Sequence, residues 1–322
     1  MPALSVVIPC YNAEKTLHNT LQSVLLQDYQ DFEVICVDDG SSDNTLDVAH
    51  NAARLDGRIK VLTQENQGAL AARLTGVRIA TADLLTFVDA DDELEQNHFS
   101  TMINAFSSEA VMVVSGYAQF DGDGNLISQI CFASKVLGSG EALSLLVGGW
   151  RGGMYPLWNK IYRRKLVLEI DLSGSPEFLA EDQFFNGRYL LHSQGAKVVF
   201  VDNLGYRYIE RENSLITGYK HQQISDFFIW LREREVWASI SSDLGAESRD
   251  YRIVNLDEAL NFYGKIWRSA ECKGLRAFES SLWSHRHLVS WSAAFRSPYR
   301  FARLISFGLR WVRSRWICRN RT

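Results

Sequence analysis

Five short apolar runs, separated by stretches of helical periodicity, fill the first 116 residues and leave few folds open. They are Leu4-Ser5-Val6-Val7-Ile8-Pro9, Phe32-Glu33-Val34-Ile35-Cys36-Val37, Ile59 to Thr63, Leu84-Leu85-Thr86-Phe87-Val88 and Ala110 to Gly116. Runs this short and this continuous read as strands covered on both faces, the habit of a parallel sheet. Pro9, with no N–H to give a ladder, is expected to end the first strand. Between the strands, a helix is predicted over 13–27 with Leu17, Leu21, Val24 and Leu25 on one face. A second spans 45–54, capped by Ser42 or Asp43, and a third follows Asn66-Gln67-Gly68 and carries Leu70, Leu74 and Val77. Strands alternating with helices form βαβ units, so the expectation is an α/β fold with an open, doubly wound, mostly parallel sheet flanked by helices. Right-handed crossovers collect the loops after each strand at one sheet edge. That edge receives Tyr11, Asp38, Asp39, Asn66, Asp89 and Asp91. The first loop lacks G-x-G-x-x-G, which argues against the usual dinucleotide fold.

The fourth run enters Asp89-Ala90-Asp91-Asp92, at the strand end where open α/β sheets bind ligands. Three carboxylates in four positions repel one another unless a cation or a hydrogen-bond donor neutralises them. Mg²⁺ and Mn²⁺ favour such oxygens and often share them with substrate phosphates. Taken alone, the cluster reads first as an Asp-rich turn capping the next helix.

Downstream, 117–132 reads as a hairpin about Asp121-Gly122-Asp123-Gly124-Asn125. A calcium loop is rejected there, because Phe132 stands where a bidentate Glu is needed. Gly148 to Gly153 is a glycine-rich segment facing substrate, Trp158 to Tyr162 and Ala196 to Val201 are further strands, and Glu181-Asp182 opens a helix. Beyond about Tyr219 the chain turns helical, with segments near 219–242 and 251–273. From Tyr299 to Ile317, Phe301, Ile305, Leu309, Val312 and Trp316 share one face with arginines around the rest. Such a helix either lies in an anionic membrane interface or packs on its own domain.

Composition narrows the function classes. With 46% apolar and 22% charged residues, the 322-residue chain has material for a large core. A net charge of −4 argues against nucleic acid as the main partner. The charge is uneven: residues 281–322 hold nine Arg and no Asp or Glu, which suggests an anionic surface at that end. Cys10, Cys36, Cys131, Cys272 and Cys318 have neither zinc nor disulfide spacing and read as reduced thiols of a cytosolic protein. The first residues carry no basic and apolar leader, and no run is long enough to span a bilayer. The expected location is the cytoplasm, with the arginine-rich end available to the inner membrane face.

Five ordered motifs carry a resemblance. Val7-Ile8-Pro9-Cys10-Tyr11-Asn12-Ala13-Glu14, Val37 to Thr45 with its Asp38-Asp39-Gly40-Ser41-Ser42-Asp43 core, Asn66-Gln67-Gly68 with Ala72-Arg73, Asp89-Ala90-Asp91-Asp92 and Glu181-Asp182 appear in that sequence. Over about residues 3–215 the chain resembles a family 2 glycosyltransferase of the GT-A fold, the kind that builds bacterial surface polysaccharides. The resemblance implies a GT-A domain over 1–218, with a nucleotide-binding half to about 116 and an acceptor-side half from 117. The remainder, 219–322, would be a helical, arginine-rich C-terminal extension. It also implies a UDP-sugar donor, a saccharide or lipid-linked saccharide acceptor, and Mn²⁺ or Mg²⁺. Pro9, Tyr11, Asp39, Asn66 and Arg73 would line the uracil pocket, with Asp39 accepting from N3–H and Arg73 donating to a carbonyl. Asp89 would take the ribose hydroxyls and Asp91 the metal, while Asp92 caps the following helix. Asp182 would be the general base of an inverting transfer, with Glu181 orienting the donor sugar or the base. Asp38 is read as structural. Tyr206-Arg207-Tyr208 and Arg211 to Ser214 also match the family, as does Asn159-Lys160, for which the resemblance supplies no role. Two other classes stay open: a nucleotidyltransferase making a nucleotide-sugar, which would need a Gly-rich activating loop absent here, and a non-catalytic nucleotide-sugar-binding protein.

Overall fold

The computed structural model describes residues 1–148, 153–176, 180–211 and 223–243, with isolated positions between 259 and 289. The helices expected near 251–273 and 299–317, and most of the glycine-rich segment, lie outside the described residues. A ten-stranded sheet organises the chain, in the order β3-β2-β1-β4-β9-β6-β10-β5 with β7 on β6 and β8 on β10. The strands are β1 (Leu4–Cys10), β2 (Phe32–Asp38), β3 (Ile59–Thr63), β4 (Leu84–Phe87), β5 (Glu93–Leu94), β6 (Ala110–Phe120), β7 (Leu126–Ile130), β8 (Lys135–Gly138), β9 (Lys160–Arg163) and β10 (Lys197–Ile209). Along the main path β1, β2, β3, β4, β6 and β10 run one way, and only β9 and β5 oppose them. The mostly parallel α/β architecture expected from the sequence is therefore present.

The pleat sorts the strand residues into two cores. Val7, Ile35, Val37, Leu85 and Phe87 face one side, where α3 (Ala69–Ile79), α5 (Ser139–Val147), α7 (Glu181–His192) and α8 (Gln223–Asp243) supply Ala72, Leu143, Phe185 and Trp237. Val6, Ile8, Val34 and Cys36 face the other, covered by Leu17, Leu21 and Val24 of α1 (Leu17–Leu25), Ala49 of α2 (Thr45–Leu55) and Met102 of α4 (His98–Asn104). A short α6 (Arg164–Glu169) follows β9. The successive buried side chains thus alternate between faces, which is why these runs read as continuous apolar segments. At Gly76 a Cβ would sit 2.4 Å from Val7 Cγ1, so glycine there lets α3 lie directly on β1. That close approach brings Arg73, one turn earlier, over the strand ends.

Several boundaries differ from the sequence expectation, each for a local reason. Pro9 does not end β1, which pairs with β2 through Cys10↔Asp38. The β4 ladder stops at Val7↔Phe87, and Val7 turns its carbonyl to that side, accepting from Val88 N–H. Pro9, two residues on, directs its missing N–H to the same side, where no partner strand remains. Helix α1 starts at Leu17, later than the expected Ala13, because the Ala13 and Glu14 N–H groups donate to Thr45 Oγ1 and Asp43 Oδ2. The N-cap of α2 is Asn44, not the expected Ser42 or Asp43, although Asp43 accepts the Thr45 N–H at 3.0 Å just ahead of the helix. The Asp121–Asn125 turn is closed by Asp121 Oδ1, which accepts from the backbone of Asp123 and Asn125. Strands β6 and β10 extend past their apolar runs as a parallel pair with bulges.

Candidate active site

The loops after β1, β2, β3 and β4 meet at one edge of the sheet and are tied to one another. Asn12, held at φ 50°, accepts from the Ser42 N–H at 2.9 Å and donates its own N–H to Ser41 Oγ. Asp39 donates its backbone N–H to Cys10 O and is 3% exposed. Its carboxylate accepts from Gln64 Nε2 at 2.7 Å, Gln67 N–H at 2.9 Å and Gly68 N–H at 2.8 Å. Of about four lone-pair positions on a carboxylate, three therefore shape the β3–α3 loop. Gly40, at φ +71°, has the Asn66 nitrogen where a Cβ would be 3.0 Å away, so only glycine lets these two loops close. Tyr11 is 53% exposed, Pro9 is half-buried, and Asn66 is exposed. Asp38 is buried with one oxygen unpartnered and the other accepting weakly from Ser41 N–H.

At the centre stands Arg73. Its Nη2 lies 2.7 Å from Asp89 Oδ1, and its Nη1 is 3.3 Å from Glu181 Oε1 and 3.6 Å from Asp182 Oδ1. The guanidinium, 5% exposed, thus joins the β4 loop to the first turn of α7, over 100 residues away in sequence. From sequence, Arg73 is expected against a uracil carbonyl; here its terminal nitrogens face carboxylates, while its Nε has no partner among the described residues. One cation faces three acids. Burial opposes the Arg73 charge, but Asp89, Asp182 and Glu181 outweigh it and push its pKa up. Burial likewise drives Glu181 up to about 7, with Asp182 and Asp89 adding to it and Arg73 opposing. Asp182 is raised by burial and by Asp89, against the pull of Arg73 and Lys160. A carboxylate whose pKa is raised above the ordinary range is a stronger base toward the proton of a hydroxyl group.

The remaining acids divide by their contacts. Asp92 was expected to cap the next helix, but α4 begins only at His98, after the two-residue β5. Instead Asp92, 1% exposed, accepts from Tyr206 Oη at 2.8 Å and Ile209 N–H at 2.9 Å. The same Tyr206 hydroxyl accepts from the Asp89 N–H at 3.2 Å. Tyr206 is itself stacked on Trp158, with ring centroids 4.1 Å apart. The acid loop is therefore clamped to β10. Tyr206→Phe should cost about 1–3 kcal/mol by leaving a buried acceptor unpaired; denaturant unfolding with unchanged stability would show that the hydroxyl does not hold the loop.

Asp91 is the acid left open. Its side chain is 50% exposed, with Arg211 Nε at 3.8 Å and Arg211 Nη2 on its backbone carbonyl at 3.1 Å. Burial of its carboxyl and the nearby Asp89 raise its pKa. Among the described residues no group of three or more His, Cys, Asp or Glu is placed to hold a metal. A single half-exposed carboxylate suits a hard cation that draws its other ligands from a diphosphate and water. Two surface cavities, of about 380 and 490 Å³, lie elsewhere, one around Asp83, Phe106 and Arg163 and the other around Asn19, Leu26 and Gln96.

The fold and this arrangement of acids can now be set beside known proteins. The sequence profile of glycosyl transferase family 2 matches residues 5–170, just over half of the chain. The chain belongs to glycosyl transferase family 2. The glycosyltransferase EpsH of Bacillus subtilis (strain 168) is 32% identical over 225 residues, which are 68% of this chain and 64% of EpsH. The GalNAc(5)-diNAcBac-PP-undecaprenol β-1,3-glucosyltransferase of Campylobacter jejuni is 32% identical over 165 residues, 50% of this chain and 52% of that enzyme. The chain thus spans about half to two thirds of the length of these two relatives. Among solved structures, residues 1–349 of S. aureus TarS in complex with UDP-GlcNAc align with a TM-score of 0.57 at 21% identity. That alignment covers 83% of this chain and 72% of the TarS fragment, and it establishes the shared GT-A fold.

Sequence reasoning missed Tyr206 and the role of Asp92, because a two-residue strand has no periodicity and a hydroxyl clamp depends on tertiary approach. Tyr206-Arg207-Tyr208 was visible as a motif. Its partner was not.

Proposed function

We propose that this member of glycosyl transferase family 2 moves a sugar from a UDP-sugar to a saccharide or lipid-linked saccharide, with inversion at the anomeric carbon. The observation that carries the proposal is the Arg73 junction, which sets the loop proposed for donor binding beside the Glu181–Asp182 pair. The exposed Tyr11 ring and Pro9 receive the base, and Asn66 lines the same pocket. Asp39 keeps one acceptor position for the uracil N3–H after its three loop hydrogen bonds. Asp89 takes the ribose hydroxyls through the oxygen that Arg73 leaves available. Asp91 holds Mn²⁺ or Mg²⁺, which when bound neutralises charge on the departing diphosphate.

Asp182 accepts the proton of the acceptor hydroxyl as its oxygen forms the bond to the anomeric carbon and the bond to UDP breaks. Glu181, sharing Arg73 with it, orients the donor sugar or the base. The UDP-GlcNAc held by TarS and the lipid-linked acceptor named for the Campylobacter enzyme support the choice of donor and acceptor class. The acceptor reading extends to work at the cytoplasmic membrane face, although no helix among the described residues is long and apolar enough to cross a membrane.

A panel of nucleotide-sugars with Mn²⁺ tests the donor class through thermal stabilisation. A ligand at 100 times its Kd adds about 2.7 kcal/mol, a shift of several degrees. UDP-sugars should raise Tm. Stabilisation by TDP- or GDP-sugars without UDP-sugars would overturn the uracil assignments.

A further inference from the structure

Lys160 opens β9 with its side chain fully buried, yet nothing in the mechanism above uses it. Its Nζ donates to Asn159 Oδ1 at 2.7 Å and to the carbonyl oxygen of Pro156. The Pro156 carbonyl and the Leu157 N–H belong to one peptide group, planar and with the two dipole ends pointing apart. At its other end, the Leu157 N–H faces the Asp182 carboxylate and favours its ionised form. An ammonium ion on the carbonyl polarises that amide and strengthens the pull of its N–H on a facing carboxylate. It also fixes the direction of the N–H. We propose that Lys160 is a positioning residue for Asp182, acting through the Pro156–Leu157 peptide to orient the carboxylate and hold it ionised for the proton of the acceptor hydroxyl.

The surroundings support a built device over incidental burial. Asn159 anchors the same loop, donating through Nδ2 to Ser115 O at 2.7 Å and Gly153 O at 3.1 Å. Asn186, on the helix that carries Asp182, donates to Tyr155 O at 2.9 Å and is held by the Tyr162 hydroxyl. The loop is thereby pinned to β6, to β9 and to α7 itself, so the Leu157 N–H has little freedom. Burial lowers the Lys160 pKa to about 7 and Asp182 opposes that fall, while Lys160 in turn favours the ionised form of Asp182. Asp182 is the charged group that faces Lys160. Asp182 itself is faced by Arg73 from α3, Asp89 from the β4 loop, its neighbour Glu181 and the Tyr162 hydroxyl from β9.

The inference rests on Asp182 being the base, and the test separates the two. The Asp182 carboxyl is titrated by ¹³C NMR in the full chain labelled at aspartate, its signal assigned by its loss in Asp182→Asn. UDP release from UDP-GlcNAc with Mn²⁺, water serving as acceptor, is followed in parallel. Lys160→Met, close in length and uncharged, should raise the Asp182 midpoint by about one pH unit, equivalent to roughly tenfold slower UDP release below that midpoint. UDP binding by calorimetry should stay as in the parent chain. Lys160→Gln gives the same readouts should the methionine variant not fold. An unmoved midpoint overturns the proposal. Full turnover in Asp182→Asn removes the base assignment, and the role of Lys160 falls with it even where the midpoint moves.

Discussion

Asp182→Asn is expected to bind UDP-sugar donors as the parent chain does and to lose transfer by roughly 10²–10⁴-fold, the usual contribution of a general base. At 1.36 kcal/mol per tenfold, that is about 2.7–5.5 kcal/mol of barrier. The amide keeps the volume of the carboxyl group and still meets the Leu157 N–H through its oxygen, so the loss isolates proton acceptance. The parent enzyme adds an internal check. Glu181 and Asp182 share Arg73 and both have raised pKa values, Glu181 to about 7. They titrate as a pair with apparent values that belong to neither alone. The working form of Asp182 is the ionised one and its pKa is raised, so turnover in the parent should rise with pH through a midpoint above the usual carboxylate range. The residual turnover of Asp182→Asn should lack that dependence. Normal turnover in the variant, measured as UDP release and as acceptor-dependent transfer, would put the base elsewhere.

The same region illustrates what a sequence can and cannot carry. Strands β1, β2 and β4 are legible because both faces are largely buried, and buried parallel strands leave unbroken apolar runs; β3, at the sheet edge with Lys60 and Thr63 exposed, still has the expected limits of Ile59 and Thr63. Strand β10 was only half legible. Its outer residues, among them Arg207 and Tyr208, are half-buried and break the apolar run, and the strand is held there by pairing with β6. Acid-rich loops could be assigned to one sheet edge from topology alone. Which acid meets which cation could not, since Arg73 and Glu181 come together only through the crossing of α3 and α7 over the strand ends. Lys160 marks the same limit: a lysine beside an asparagine at a strand start has no sequence signature of burial, and its partner is a carbonyl.

The contacts also turn a run of three equivalent aspartates into three different groups, and Asp91→Ala tests the division most sharply. Asp89 is held by Arg73, and Asp92 by Tyr206 and Ile209, both with little freedom to turn toward a cation. Asp91 alone keeps a half-exposed carboxylate, approached by Arg211 at a distance too long for a hydrogen bond. An ion joining the protein to a diphosphate would therefore lose its protein ligand when this one side chain is shortened. The variant should lose the Mn²⁺-dependent part of UDP binding in calorimetry while keeping the metal-independent part proposed for Tyr11 and Asp39. Asp91 takes no part in the Asp92–Tyr206 clamp, so removing its carboxylate also relieves repulsion with Asp89, and thermal stability without ligand should hold or rise slightly. Mn²⁺ dependence equal to that of the parent chain would remove Asp91 as the metal ligand. A collapse in stability would mean instead that its contact with Arg211 helps to hold the loop.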